Sequence, residues 1–238
     1  MRDVCHDISL VMKIQEILTK SSLEAAPLLL GCYLYRKLPD GILKLKIVET
    51  EAYHQDDPAS HSFRGMTTRT APMFEEGGRL YVYFTYGMHY CVNIVVGQKG
   101  VGEAVLLRAA EPLEGIEVMF NNRYGPVQGP TLYNLYNQHI TDTNVRGLTS
   151  HISGITDIKN LANGPAKLTQ ALGITDTSLS GKMLNGSSIW LEAAKEPLKA
   201  SDIVASPRIG IKEATQMPWR FYIKDNQFVS KYNKNHDG

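Results

Sequence analysis

Leu43-Lys44-Leu45-Lys46-Ile47-Val48-Glu49-Thr50-Glu51 is the stretch on which the reading of this chain turns. It opens by alternating aliphatic residues with lysines, the period-two pattern of a strand with one buried and one wet face. Residues of one parity share a face in a regular strand, so Glu49 and Glu51 are expected to continue the face of Leu43, Leu45 and Ile47. A strand running from the core into a polar pocket has this pattern, a face that begins as core and ends as carboxylates. The alternative is that the strand leaves the core at Val48 and both acids are solvated. Tyr53 and His61 follow closely, and a carboxylate near a phenol and an imidazole suits a general-base site.

Upstream, Cys32 to Arg36 alternates aromatic and aliphatic residues and Pro39-Asp40-Gly41 makes a turn, so the two runs form a β-hairpin. Ser21-Ser22-Leu23-Glu24 is a capping-box pattern opening a helix that Pro27 should kink or shorten, and Leu10 to Thr19 suits an amphipathic helix before it. Downstream, residues 54 to 72 form a polar loop with Ser60, His61, Arg64, Gly65, Thr67, Thr68 and Arg69, long enough to suggest function. Leu80 to Tyr86, His89 to Val96 and Glu103 to Ala110 are β-rich runs joined by Gly-containing turns, an antiparallel meander. Pro112 suits the first turn of a helix carrying Leu113, Ile116 and Phe120 and stopping at Gly125. Residues 126 to 160 are polar and read as a long loop insertion, and Asn163-Gly164-Pro165 opens a short helix closed by Gly173. Short strands and turns follow from Ile189. Strands clustered early, with helices around them and no internal repeat, give an α+β single domain over residues 1–238.

The chain has 238 residues, 25 Lys+Arg against 24 Asp+Glu, 43% hydrophobic and 21% charged residues. That composition is globular and excludes both general disorder and a histone-like polycation, while leaving room for a local basic face. Apolar runs such as Ala25 to Cys32 fall short of the roughly 20 residues a bilayer span needs. Met1-Arg2-Asp3 leads into no signal-peptide core, so a soluble intracellular protein is expected, without a membrane partner. Cys5, Cys32 and Cys91 lack metal-ligand spacing, and His54, His61 and His89 match no zinc signature, so no metal is expected.

Tyr81, Tyr83, Tyr86 and Tyr90 crowd one strand–turn–strand segment with Phe84. Strand tyrosines are ordinarily half-buried packing residues. A cluster at a turn tip can also stack nucleobases or wedge into a base stack. Arg64, Arg69, Arg108, Lys167 and Arg208 are candidates for phosphate contacts, though each taken alone reads first as a solvated surface charge.

With these residues laid out, the chain resembles the alkyladenine (3-methylpurine) DNA glycosylase family. The matching stretches include Leu29-Leu30-Gly31, Val48-Glu49-Thr50-Glu51-Ala52-Tyr53, His61-Ser62-Phe63-Arg64-Gly65, Leu80-Tyr81-Val82-Tyr83 to Tyr86-Gly87-Met88 and Cys91-Val92-Asn93. They continue through Val105-Leu106-Leu107-Arg108, Asn163-Gly164-Pro165 to Lys167-Leu168, Pro207-Arg208-Ile209-Gly210-Ile211 and Pro218-Trp219-Arg220-Phe221-Tyr222, in the family's order. Three departures stand out: Thr70 where the family usually has Asn, Glu75-Glu76 in place of a Pro-rich turn, and a longer 126–160 insertion.

The resemblance implies a curved antiparallel sheet surrounded by helices. It also implies a monofunctional base-excision enzyme that flips alkylated or deaminated purines from duplex DNA and hydrolyses the N-glycosidic bond without cofactor or lyase step. By the match, Glu51 is the base that activates water and Arg108 helps orient it. Tyr53, with Tyr83 and His61 opposite, sandwiches the base; Tyr86 is the wedge, Met88 stands beside it, and Asn93 excludes guanine. Arg64 and Lys167 are the expected DNA contacts. The protein acts as a monomer, in the nucleoid if bacterial and in the nucleus if eukaryotic. Two other classes compete: a non-catalytic binder of single-stranded nucleic acid using the tyrosines alone, and a small-molecule N-ribosidase using Glu49 and Glu51 on free nucleosides.

Overall fold

The computed structural model describes residues 13–125, 158–185 and 187–231. The hairpin forms as the sequence predicts: β1 (Tyr33–Leu38) pairs antiparallel with β2 (Gly41–Tyr53), closing at Leu38 opposite Gly41. The meander forms too, as β3 (Leu80–Thr85), β4 (His89–Val95) and β5 (Ala104–Glu114). Short strands β6 (Ile189–Glu192), β7 (Ile203–Ser206) and β8 (Arg220–Ile223) follow. The sheet runs β3-β4-β5-β2-β1-β6, with β8 pairing to β2 and β7 to β8, and it curls into an antiparallel half-barrel. At 13 residues, β2 is long enough to serve two neighbours on one edge: β1 pairs with its first half and β8 with Glu49 to Glu51, while β5 covers the other edge.

Four helices among the described residues complete the α+β fold: α1 (Ile14–Leu18), α2 (Ser22–Leu28), α3 (Ile116–Tyr124) and α4 (Pro165–Ala171). Ser21 and Glu24 form the expected capping box, and Pro27 sits in the last turn of α2, which ends one residue later. The core joins Ala25 and Ala26 of α2, Leu29 just after it, Met119 and Phe120 of α3, and Leu168 and Ala171 of α4 to Val82, Val92, Ile94, Val105 and Leu107 of the meander. On the opposite face a smaller cluster of Met73, Phe74, Tyr81, Val95 and Ala104 floors a cleft.

Two sequence expectations are corrected. Pro112 does not open a helix: it lies in β5 opposite Leu45, beside a register shift that leaves Leu113 exposed and unpaired, and irregularities of this kind tolerate proline in a sheet. The helix starts at Ile116, after Gly115 at φ 73°, where a Cβ would stand 2.8 Å from the Ile42 carbonyl oxygen. The second correction concerns β2. Ile47 and Val48 are consecutive core residues, and the pairing with β5 shifts between Ile47 and Glu49. This bulge resets the parity. Beyond it Thr50 and Ala52 take the core face, with Thr50 Oγ1 donating to the Ala26 carbonyl of α2. Glu49, Glu51 and Tyr53 therefore turn to the opposite face and do not continue that of Leu43, Leu45 and Ile47. Of the 126–160 insertion, residues 126–157 lie outside the described residues, as do residues 10–12 of the first expected helix; Ile158–Asn160 form a short 3-10 turn.

Candidate active site

Glu49 and Glu51 are both unexposed, and their surroundings differ. Glu49 Oε1 accepts from Arg108 Nε at 3.0 Å, Arg220 Nε at 2.6 Å and Ser230 Oγ at 2.8 Å, while Oε2 accepts from the Ser230 amide at 2.7 Å. Burial alone would raise this carboxyl's pKa, but the Arg108 and Arg220 charges outweigh it and hold the group below the usual carboxylate range. Glu49 is thus spoken for on both oxygens.

Glu51 lies behind the cleft lining, held by three residues that form part of it, Tyr53, Arg108 and Ile209. Its Oε1 accepts from the Ile209 amide at 2.8 Å and lies 3.2 Å from Arg108 Nη1, and its Oε2 accepts from the Tyr53 hydroxyl at 2.8 Å. Burial first, then the Glu51 charge, raises the Tyr53 phenol well above its ordinary pKa, so it stays a donor. Arg108 bridges the two acids, and its pKa is raised because the Glu51 and Glu49 charges outweigh desolvation, the largest single influence. The guanidinium and the backbone N–H meet on Oε1 and the phenol on Oε2, and a carboxylate held in this way is a candidate general base.

The cleft has a volume of about 580 Å³ and is lined by Tyr53, His61, Tyr83, Asn93 and Arg108 among others. Tyr53, His61, Tyr81, Tyr83 and Tyr86 make part of this lining aromatic. The His61 ring meets Tyr83 edge-on with centroids 4.6 Å apart, and its Nδ1 lies 3.0 Å from the Tyr81 hydroxyl. Desolvation against these rings, with the Arg69 charge second, lowers His61 to about 4 even though the residue as a whole is exposed, which favours the neutral imidazole near pH 7. Arg69 Cζ lies 5.5 Å from the Tyr83 centroid. Asn93 is buried on β4 and donates from Nδ2 to the Tyr81 carbonyl at 3.0 Å.

At the β3–β4 turn, Tyr86 is 78% and Met88 68% exposed. Tyr86 has φ 52° and Gly87 φ 69°. For a non-glycine residue the left-handed region costs on the order of 1–3 kcal/mol, and such strain gathers where a side chain must be aimed. Tyr86 also lines the cleft mouth, so the tip and the cleft form one surface.

Arg108, Tyr53, His61, Tyr83, Tyr86 and Asn93 line one cleft, and Glu51 is bonded to two of them from behind. Arg64 is exposed in the 54–72 loop, outside the cleft lining, and Lys167 donates to Asn163 Oδ1 at 2.8 Å. Arg108 and Arg208 are not the surface phosphate ligands they could have been: both are buried in ion pairs, Arg108 with the two glutamates and Arg208 with Asp57. Thr70 is buried, and its hydroxyl accepts from the Thr67 amide at 2.9 Å, closing the turn that carries Arg69. Glu75 is 3.5 Å from Lys99 on the surface.

Residue-type reasoning missed Ile209, Arg220, Ser230 and Cys91. Ile209 acts through its backbone N–H, which every non-proline residue has and no residue type advertises. Arg220 and Ser230 reach Glu49 from 171 and 181 residues away along the chain. Cys91 lines the cleft as a buried thiol whose pKa is raised by desolvation.

A family model described as methylpurine-DNA glycosylase (MPG) matches residues 16–227. Relatives provisionally named 3-methyladenine DNA glycosylase include a Carboxydothermus hydrogenoformans protein, 44% identical over 85% of this chain and 90% of its own. A Francisella tularensis protein is 43% identical over 92% of this chain and 98% of its own, and one from Methanoculleus marisnigri 39% identical over 85% and 90%. The match spans residues from within α1 to beyond the Arg220 strand, and so takes in every residue that lines the cleft: the chain belongs to the methylpurine-DNA glycosylase family.

Proposed function

We propose that the protein excises alkylated or deaminated purines from duplex DNA, flipping the damaged nucleotide into the cleft and releasing the base by hydrolysis. The observation that carries this reading is Glu51: a fully buried carboxylate, fixed by Tyr53, Arg108 and the Ile209 amide, behind an aromatic slot. N-glycosidic cleavage passes through an oxocarbenium-like sugar, which a carboxylate near C1′ stabilises while it deprotonates water. Arg108 orients that water. The flipped base stacks between Tyr53 and the Tyr83–His61 pair, Tyr86 fills the vacated stack with Met88 beside it, and Asn93 bars the 2-amino group of guanine. Unstacking costs a few kcal/mol and least for damaged or mispaired bases, which supplies part of the selectivity. An alkylated purine is cationic and leaves readily, whereas neutral hypoxanthine requires protonation.

No lysine takes the nucleophile's part in this scheme, so the product is an abasic site without strand cleavage. The enzyme acts as a monomer and as a single domain, Arg64 and Lys167 adding phosphate contacts. Among the described residues no helix is long and apolar enough to cross a membrane. Incubation with duplexes carrying 3-methyladenine-type or hypoxanthine lesions, read before and after alkali, tests the proposal. Strand breaks that appear only after alkali are expected. Binding without base release would favour a non-catalytic nucleic-acid binder, and cleavage of free inosine would favour a nucleoside hydrolase.

A further inference from the structure

Arg208 stands between β7 and β8 with its side chain wholly buried, as is that of Asp57. The two form a bidentate fork: Nη2 donates to Asp57 Oδ1 at 3.0 Å and Nη1 to Oδ2. Nη1 also donates to the Ala52 carbonyl at 3.0 Å. The guanidinium lies against two rings, its Cζ 4.6 Å from the Tyr53 centroid and 5.0 Å from that of Trp219. Its Nε is buried without a partner among the described residues.

As a device for stability this arrangement is poor. Replacing a buried ion pair by packed apolar groups is often neutral or favourable, and an orphaned buried N–H adds to the cost. What the arrangement does is geometric. Ala52 separates Glu51 from Tyr53, Tyr53 donates to Glu51, and the residue after Arg208 donates its amide to the other oxygen of the same carboxylate. A planar cation locked by a fork fixes a ring and two backbone segments at once, which a lysine cannot do.

From these contacts we infer that the Asp57–Arg208 pair is a positioning clamp that sets the Tyr53 ring and the Ile209 amide together, holding Glu51 at a fixed place relative to a base stacked on Tyr53. The inference rests on the proposed roles of Glu51 and Tyr53. Arg208 is a positioning residue and touches neither base nor sugar.

The test is single-turnover release of hypoxanthine from duplex DNA by Arg208→Lys and Asp57→Asn, both in a Trp190→Phe background. The chain has 2 tryptophans, so Trp219 then reports alone on the guanidinium beside it. A displacement near 1 Å can cost about 10²-fold in rate, so the maximal rate should fall about 10- to 100-fold. The enzyme concentration giving half the maximal rate should stay within about threefold, and Trp219 emission should change. Asp57→Asn keeps the shape of the pair and decides the matter if Arg208→Lys does not fold. A maximal rate per folded molecule within about twofold of the parent overturns the clamp. So does an unchanged maximal rate with a weakened half-saturation, which would make Arg208 a DNA contact. A Trp190→Phe parent that releases no base overturns the functional reading itself, a result distinct from an active parent with unaffected variants.

Discussion

The two halves of β2 are one continuous strand with opposite physical characters. In the first half Leu43 and Leu45 are buried, while Lys44 lies on the solvent side, 3.3 Å from Glu114 and 4.8 Å from the Tyr33 ring centroid. From Val48 to Ala52 every residue is fully buried, two carboxylates included. A strand can be buried on both faces only if both are covered. Helix α2 covers one side of the second half, and β8, Arg108 and Ser230 close around the acids on the other. Charge near the hairpin is cheap because water solvates it, whereas charge beyond the bulge survives only where counter-charges are built in.

The largest effect that would break this comparison belongs to Glu49. Glu49→Gln leaves Arg108 and Arg220 short of counter-charge, and we expect a loss of about 3–5 kcal/mol in unfolding free energy, read by urea denaturation. The pH dependence has a defined sign. Because the folded carboxyl's pKa is depressed, Glu49 stabilises above the unfolded carboxylate range and that stability disappears as the pH falls through the lower folded value. His61, held at about 4 against an ordinary 6.5, adds in the same direction over that interval, since the unfolded chain takes up its proton first. Acid melting of the wild type should therefore be steeper than that of Glu49→Gln; equal slopes would remove Glu49 from the account.

Glu51→Gln should behave differently from its neighbour two residues away. Base release should fall by 10²-fold or more, the scale of a general base, or about 2.7 kcal/mol, while duplex affinity stays within about threefold. A rate within about threefold of wild type would sink the assignment.

A smaller loss is expected at the turn tip. Tyr86→Ala should weaken binding to a lesion duplex by about tenfold and spare a single-stranded lesion, because a wedge compensates only for a stack that exists. Equal losses on the two substrates would make Tyr86 a packing residue. At the low end, Lys44→Gln should change stability by about 0.5 kcal/mol or less, the ordinary worth of an exposed pair. A loss above about 1.5 kcal/mol would show that the two halves of β2 are not as different as their burial indicates.

Local chemistry alone determined much of this protein. The Pro39-Asp40-Gly41 hairpin, the capping box at Ser21, the meander and the helix behind Asn163-Gly164-Pro165 each depend on residues adjacent in the chain, so their signals could be read there. The grouping of Tyr53, His61 and the tyrosine strand near Glu51 was legible for the same reason. What only the tertiary structure decided was what holds each acid. The bulge at Val48 is a matter of register with β5, so no alternation within β2 foretells it. Pro112 fits a helix start by type and is kept in a strand by its partner Leu45. Arg208 and Arg108 have the composition of phosphate ligands and become internal counter-ions because Asp57, Glu49 and Glu51 arrive from elsewhere in the chain. Whether a charge is solvated or buried depends on what folds over it, and that information is held by contacts between distant residues and not by the residue itself.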